Sequence, residues 1–197
     1  MTEVELKAHV DDREGLKKKL DAFAHFEHSV SRDDRYWGME GVKHKKIRVR
    51  HEKYDDGRQS VLLTYKKKEK RLENGVPIEV NDERECEMTD SLPLESFLED
   101  HGFNILVKKH KDVMDWTKEV PSHGVIPSGL FATFELCTVP PLGDFLEIEV
   151  LSPSDDDKLV AQLRELLEQY LRDLGIPKEK IEGRYYSDML KDVKNRG

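Results

Sequence analysis

Glu3-Val4-Glu5-Leu6-Lys7 alternates a charged side chain with an aliphatic one, and the same two-residue beat returns along the chain. Arg48 and Arg50 repeat it, then Lys66 and Lys68, Glu85 and Glu87, Lys109 and Lys111, and finally Glu147 and Glu149. A strand sends residues i, i+2 and i+4 to one side, so each pair shares a face. Unpaired charge is too costly to bury in a dry core. The economical solution is an α+β protein built on a closed eight-stranded antiparallel β-barrel, a tunnel with a wet, charged interior and helices packed outside. Such an interior suits a highly anionic ligand gripped by Lys and Arg, with a divalent metal held by Glu.

Outward from the first strand, residues 2–10, the periodicity predicts a helix carrying Leu16, Leu20 and Phe23, capped by Asp11 or Asp12. Strands are expected at about 26–37, 45–54 and 59–68, the last two joined by the turn Asp55-Asp56-Gly57. Residues 69–80, with Asn74-Gly75 and Pro77, read as a loop or a hairpin excursion before a strand at 81–88. A short helix over 91–100, a long strand over 103–116 and a Pro/Gly-rich loop over 117–129 follow. Strands near 130–138 and 144–151 are joined by Pro140-Pro141-Leu142-Gly143. A long amphipathic helix then runs to about residue 174, and a last helix covers Tyr185–Val193. The apolar stripe on 155–174 faces either the barrel or a partner, which leaves a homodimer open.

The 197 residues are read as one domain spanning 1–197. Hydrophobic residues make up 37% and charged residues 38%, the skew of a polar-lined barrel. A net charge of −8 argues against general nucleic-acid binding, which needs a positive footprint. No apolar run approaches a membrane span. Cys86 and Cys137 show neither metal spacing nor a disulfide framework, so reduced thiols in the cytoplasm are expected.

The carboxylate pairs suit a hard cation, because Mg²⁺ takes one or two carboxylates plus phosphate oxygens and water. In Phe145-Leu146-Glu147-Ile148-Glu149-Val150 the aliphatic residues claim the helix-covered face, so both Glu point the other way. Arg forks and Lys point charges suit phosphate oxygens, and three basic rows could grip a triphosphate along its length. No phosphate-cradling Gly-rich loop, Gly-x-Ser-x-Gly elbow or His-Glu-x-x-His motif competes.

The ordered set resembles the CYTH superfamily, the triphosphate tunnel metalloenzymes, over essentially the whole chain. Glu3-Val4-Glu5-Leu6-Lys7 is similar to the family's Glu-x-Glu-x-Lys signature, and the later pairs follow in the family's order. Leu142-Gly143-Asp144-Phe145-Leu146-Glu147-Ile148-Glu149 and Tyr185-Tyr186-Ser187-Asp188-Met189-Leu190 look most like the class IV adenylyl cyclase branch. The resemblance implies that Lys7, Arg48, Arg50, Lys66, Lys68, Lys109 and Lys111, with Glu85 and Glu87, bind a nucleoside triphosphate or inorganic triphosphate. It implies Mg²⁺ or Mn²⁺ on Glu3, Glu5, Glu147 and Glu149, and catalytic roles for Lys7, Arg50 and Lys111. The reaction implied is cyclisation of ATP to cyclic AMP and pyrophosphate. A triphosphatase of the same fold, acting on tripolyphosphate or thiamine triphosphate, and a non-catalytic polyphosphate- or nucleotide-binding module are the alternatives. Two positions depart from the branch: Cys137 stands where it has an acidic residue, with Glu135 two residues earlier on the same face, and Lys111 stands in place of arginine.

Overall fold

A computed structural model describes residues 2–39, 41, 45–73 and 76–194, and the side chains of 45–46, 66–83 and 194 lie outside the described set. Eight antiparallel strands form one sheet: β1 (Thr2–Val10), β2 (His25–Gly38), β3 (Lys45–Tyr54), β4 (Gln59–Glu73), β5 (Val76–Met88), β6 (Asn104–Glu119), β7 (Phe131–Val139) and β8 (Gly143–Ser152). Four α-helices accompany them: α1 (Arg13–Phe23), α2 (Leu92–Asp100), α3 (Asp157–Asp173) and α4 (Tyr186–Lys194), with a 3₁₀ turn at Lys178–Lys180. The strand order is β1-β8-β7-β6-β2-β3-β4-β5. It does not close on itself where the sequence led us to expect a closed barrel, since no pairing joins β1 to β5 among the described residues. Of the two readings for 69–80, a loop or a hairpin excursion, the structure shows the hairpin, with β4 and β5 paired out to Glu73 opposite Val76. Likewise β6 runs on to Glu119, opposite Phe131, into what reads as loop.

The chain divides into two compact units, Met1–Ser29 with Lys111–Gly197, and Val30–His110. In the first, Val4, Leu6 and Ala8 of β1 and Leu146, Ile148 and Val150 of β8 turn one face to α1 and α3. Leu16 and Leu20 of α1 and Leu159, Leu163 and Leu167 of α3 close over that face with Trp116 and Phe134. The amphipathic stripe of α3 is therefore spent on its own unit. Asp12 and Asp156 cap the two helices by accepting backbone N–H bonds, at 2.9 Å from Gly15 and at 3.1 and 3.0 Å from Lys158 and Leu159. Gly143 enters β8 at φ 101°, a conformation that only glycine adopts freely. In the second unit, Trp37 of β2, Val49 of β3 and Leu98 of α2 form a smaller core. In the first unit the charged Glu3, Glu5 and Lys7 alternate with the buried Val4, Leu6 and Ala8 and so lie on the face away from the helices.

Candidate triphosphate and metal site

Strand register sets the acidic face of the first unit. Glu5 stands directly opposite Glu149, and Lys7 opposite Glu147. The row continues across the sheet, with Glu147 opposite Glu135 and Glu135 opposite Asp115. The expected metal residues Glu3, Glu5, Glu147 and Glu149 thus share two adjacent strands. Glu135 and Asp115 extend the cluster beyond those four. Like charges directly opposite one another on a sheet repel. Lys111 answers part of that repulsion: only 3% exposed, it bridges the Glu135 and Glu147 carboxylates. His28 adds a contact of 3.2 Å to Asp115.

Acid still outnumbers base here, and burial among like charges shifts the carboxyls accordingly. The Glu5 carboxyl is pushed up to about 8, first by desolvation and then by the charges of Glu147 and Glu3, although its side chain keeps contact with water. Glu149 is pushed up to about 7 by desolvation, by the charge and hydrogen bond of Glu3, and by Glu147. Desolvation lowers the Lys7 ammonium, against the pull of Glu147 and Glu5. Among the described residues, one trio of donors lies within 4.8 Å of one another: Glu135, Cys137 and Glu147. The carboxylate set is hard and oxygen-based, the donor chemistry that Mg²⁺ and Mn²⁺ take, and its surplus charge is what a divalent cation relieves.

The segment before α4 closes over Lys7. Lys7 Nζ donates to the Arg184 carbonyl at 2.6 Å, and Glu182 N–H donates to the Lys7 carbonyl at 2.7 Å. Tyr186 is buried with its ring 4.3 Å from Lys7 Nζ and 5.3 Å from Lys111 Nζ. Its hydroxyl lies 3.5 Å from the buried Cys137 thiol and hydrogen-bonds Glu147. Burial, Glu147 and Cys137 together push that phenol far up, so it stays protonated. The sequence offers Tyr186 only as part of the Tyr185–Leu190 stretch; its place beside Lys7, Lys111 and Glu147 carries no local signal.

The second unit holds the basic row. Arg50 faces Asp34 across β2–β3 and binds both its oxygens, Nε at 2.7 Å and Nη2 at 3.1 Å. Lys109 Nζ lies 2.9 Å from the same carboxylate. Arg48 bonds Thr64 at 2.9 Å and Glu85 at 3.2 Å. Glu87 is exposed opposite Leu62. Lys66 and Lys68 pair through their backbones with Glu83 and Asn81, and their side chains lie outside the described residues. Burial alone would raise the Asp34 carboxyl, but Lys109, Arg50 and Arg48 hold it well below the usual range. Sequence reading missed Asp34, although Arg32-x-Asp34-x-Tyr36 keeps the same alternation as the pairs it singled out.

Fold and charge place the chain in a class of α+β proteins that display acidic and basic strand faces on one antiparallel sheet. No protein-family model matches it, and no curated protein does. Among solved structures it is similar to the PH1819 protein from Pyrococcus horikoshii OT3, at 26% identity and TM-score 0.73, covering 97% of this chain and 99% of that one. It is similar in fold to a Vibrio parahaemolyticus protein described as a "putative adenylate cyclase", at 18% identity and TM-score 0.68, over 97% and 98% of the two chains. A third likeness is HpAC1 from Hippeastrum, described as a "putative adenylyl cyclase" that "reveals a dominant" triphosphatase activity, at 17% identity and TM-score 0.63, over 98% and 96%. These likenesses show a shared fold, in agreement with the resemblance read from the motif order. Among the described residues no helix is long and apolar enough to cross a membrane.

Proposed function

We propose that the chain is a divalent-metal-dependent enzyme acting on a triphosphate, and that its reaction is the cyclisation of ATP to cyclic AMP and pyrophosphate. One observation carries this reading: Glu5 stands in register with Glu149 and Glu147 with Glu135, an acidic strand face with more carboxylates than cations. Glu3, Glu5, Glu147 and Glu149 are the residues that would hold Mg²⁺ or Mn²⁺, with Glu135 beside them. When bound, the ion supplies charge neutralisation and Lewis acidity at phosphate oxygens. Each unit also presents cations of its own. Lys7 and Lys111 are ammoniums on the acidic face, and Arg48, Arg50 and Lys109 offer a fork-and-point-charge row suited to phosphate. Cyclisation forms the bond from the ribose 3′ oxygen to the α-phosphorus and breaks the bond to pyrophosphate. Charge gathers on the departing pyrophosphate, where positioned cations stabilise the transition state most.

Triphosphate hydrolysis is the second reading, favoured by the description of HpAC1. Water then replaces the ribose hydroxyl as nucleophile. Under either reading the whole chain works as one catalytic domain, and its two free cysteines suit the reducing cytoplasm. The test is incubation of the protein with ATP, and separately with tripolyphosphate, in Mg²⁺ and in Mn²⁺, resolving cyclic AMP, pyrophosphate and orthophosphate. Cyclic AMP with equimolar pyrophosphate is expected; orthophosphate without cyclic product transfers the protein to the hydrolases. Glu149→Gln is expected to lower turnover roughly 100-fold or more. Full activity in that variant would remove the metal role of the β8 pair.

A further inference from the structure

We propose that Asp34 is the positioning residue of the basic row: a buried carboxylate that holds Arg50 and Lys109 in the orientation in which they receive phosphate oxygens. The proposal rests on the triphosphate reading above.

Asp34 is 1% exposed on β2, and register puts it directly across from Arg50. Its oxygens take Arg50 Nε and Nη2, while Lys109 Nζ and the Tyr36 hydroxyl approach Oδ2 at 2.9 and 3.2 Å. A bidentate fork fixes a guanidinium in plane as well as in position. It uses two of the five guanidinium N–H donors, and the Lys109 contact uses one of three ammonium donors. Phosphate oxygens can therefore be met by the remaining Arg50 donors with the Asp34 bonds intact. The charge balance points the same way. Asp34 is the carboxylate that Arg50 and Lys109 share, one negative charge against two positive ones, and Arg48 adds to the field it feels.

Among the described residues, two neighbouring acids are engaged elsewhere. Glu52 lies 3.9 Å from Arg50 Nη1 but is held by Arg32 at 2.9 Å, Tyr54 at 2.7 Å and Ser60 at 2.9 Å. Glu85 is bonded to Arg48 and Thr64. Without Asp34 the two buried bases would repel one another, and their orientation would have to be restored at the moment of binding.

The experiment is calorimetric titration of tripolyphosphate with Mn²⁺ into wild type, Asp34→Asn and Asp34→Glu, alongside circular dichroism and thermal unfolding. A folded D34N protein should bind about tenfold more weakly, the loss of one charge-assisted bond, with partial recovery in D34E. Unchanged or tighter binding by folded D34N, with wild type binding normally, overturns the proposal alone and makes Asp34 a competitor for the bases. Failure of wild type to bind tripolyphosphate overturns the triphosphate reading and this proposal with it. Should D34N not fold, Tyr36→Phe removes one bond to Asp34 and leaves every charge in place. It should weaken binding about twofold, and no change overturns the proposal. In the ligand-free protein, NMR should find the Arg50 Nε–H slow to exchange with water; rapid exchange overturns the anchoring itself.

Discussion

Lys111 shows how much of this chemistry hangs on single side chains. It is a buried ammonium between two carboxylates, so its removal takes away the cation that bridges Glu135 and Glu147 where they stand opposite one another. Breaking one partner out of such a buried group costs about 3 kcal/mol or more. Lys111→Ala should therefore lose roughly that much in urea denaturation with EDTA present, and saturating Mn²⁺ should restore part of it. A loss of the same size with and without Mn²⁺ would show that the ion does not reach these carboxylates. Asp34 belongs to the same scale. Its folded carboxyl is held below the unfolded value, so its stabilisation is in force above about pH 3.8 and is lost as pH falls from there. The paired acids and bases were legible as alternating charges, whereas Asp34 was not, because its meaning comes from residues on two other strands.

At the scale of the element, β1 and β8 present a conflict that their helices do not share. Glu5 and Glu149 titrate in the folded protein near 8 and 7, above the ordinary 4.5 of an unfolded chain. The folded state then holds protons that the unfolded state has released, so stability falls as pH rises from about 4.5 to about 8. The EDTA-treated protein should show its highest Tm near the acid end of that window and a steady decline towards pH 8.5. Mn²⁺ should flatten the decline; an equal slope with and without the ion would place metal elsewhere. The opposite faces of the same strands are ordinary core. Leu163 of α3 is fully buried against them, and Leu163→Ala should cost about 3 kcal/mol in denaturant while leaving Mn²⁺ affinity of the folded protein within twofold. Element boundaries were read well where alternation or a helical stripe was strong, as in β1, β8 and α3. The β4–β5 hairpin was read short because Pro77 looks like a strand breaker. It lies in β5, an edge strand with one neighbour, where a missing N–H can face outward without breaking the ladder.

For the whole molecule the decisive quantity is linkage between metal and phosphate. A ligand bound only by the folded state raises its stability by about 2.7 kcal/mol at a hundred times its dissociation constant. If a metal held by the acidic face also contacts phosphate, Mn²⁺ and tripolyphosphate together should raise Tm by more than the sum of each alone. Simple additivity in differential scanning fluorimetry would mean that the two ligands bind without meeting. The amino-acid sequence by itself determined the α+β class, the eight alternating strands, the amphipathic stripes of α1 and α3, and the charged character of the faces that helices leave uncovered. These follow from periodicity, which local side-chain order carries in full. Tertiary structure alone decided that Glu5 meets Glu149, that Lys111 serves Glu135 and Glu147, that Tyr186 lies under Lys7, and that Asp34 anchors Arg50 and Lys109. Each of those pairs joins residues far apart in the chain, and a shift of one residue in strand register would undo it, which alternation along a single strand does not encode.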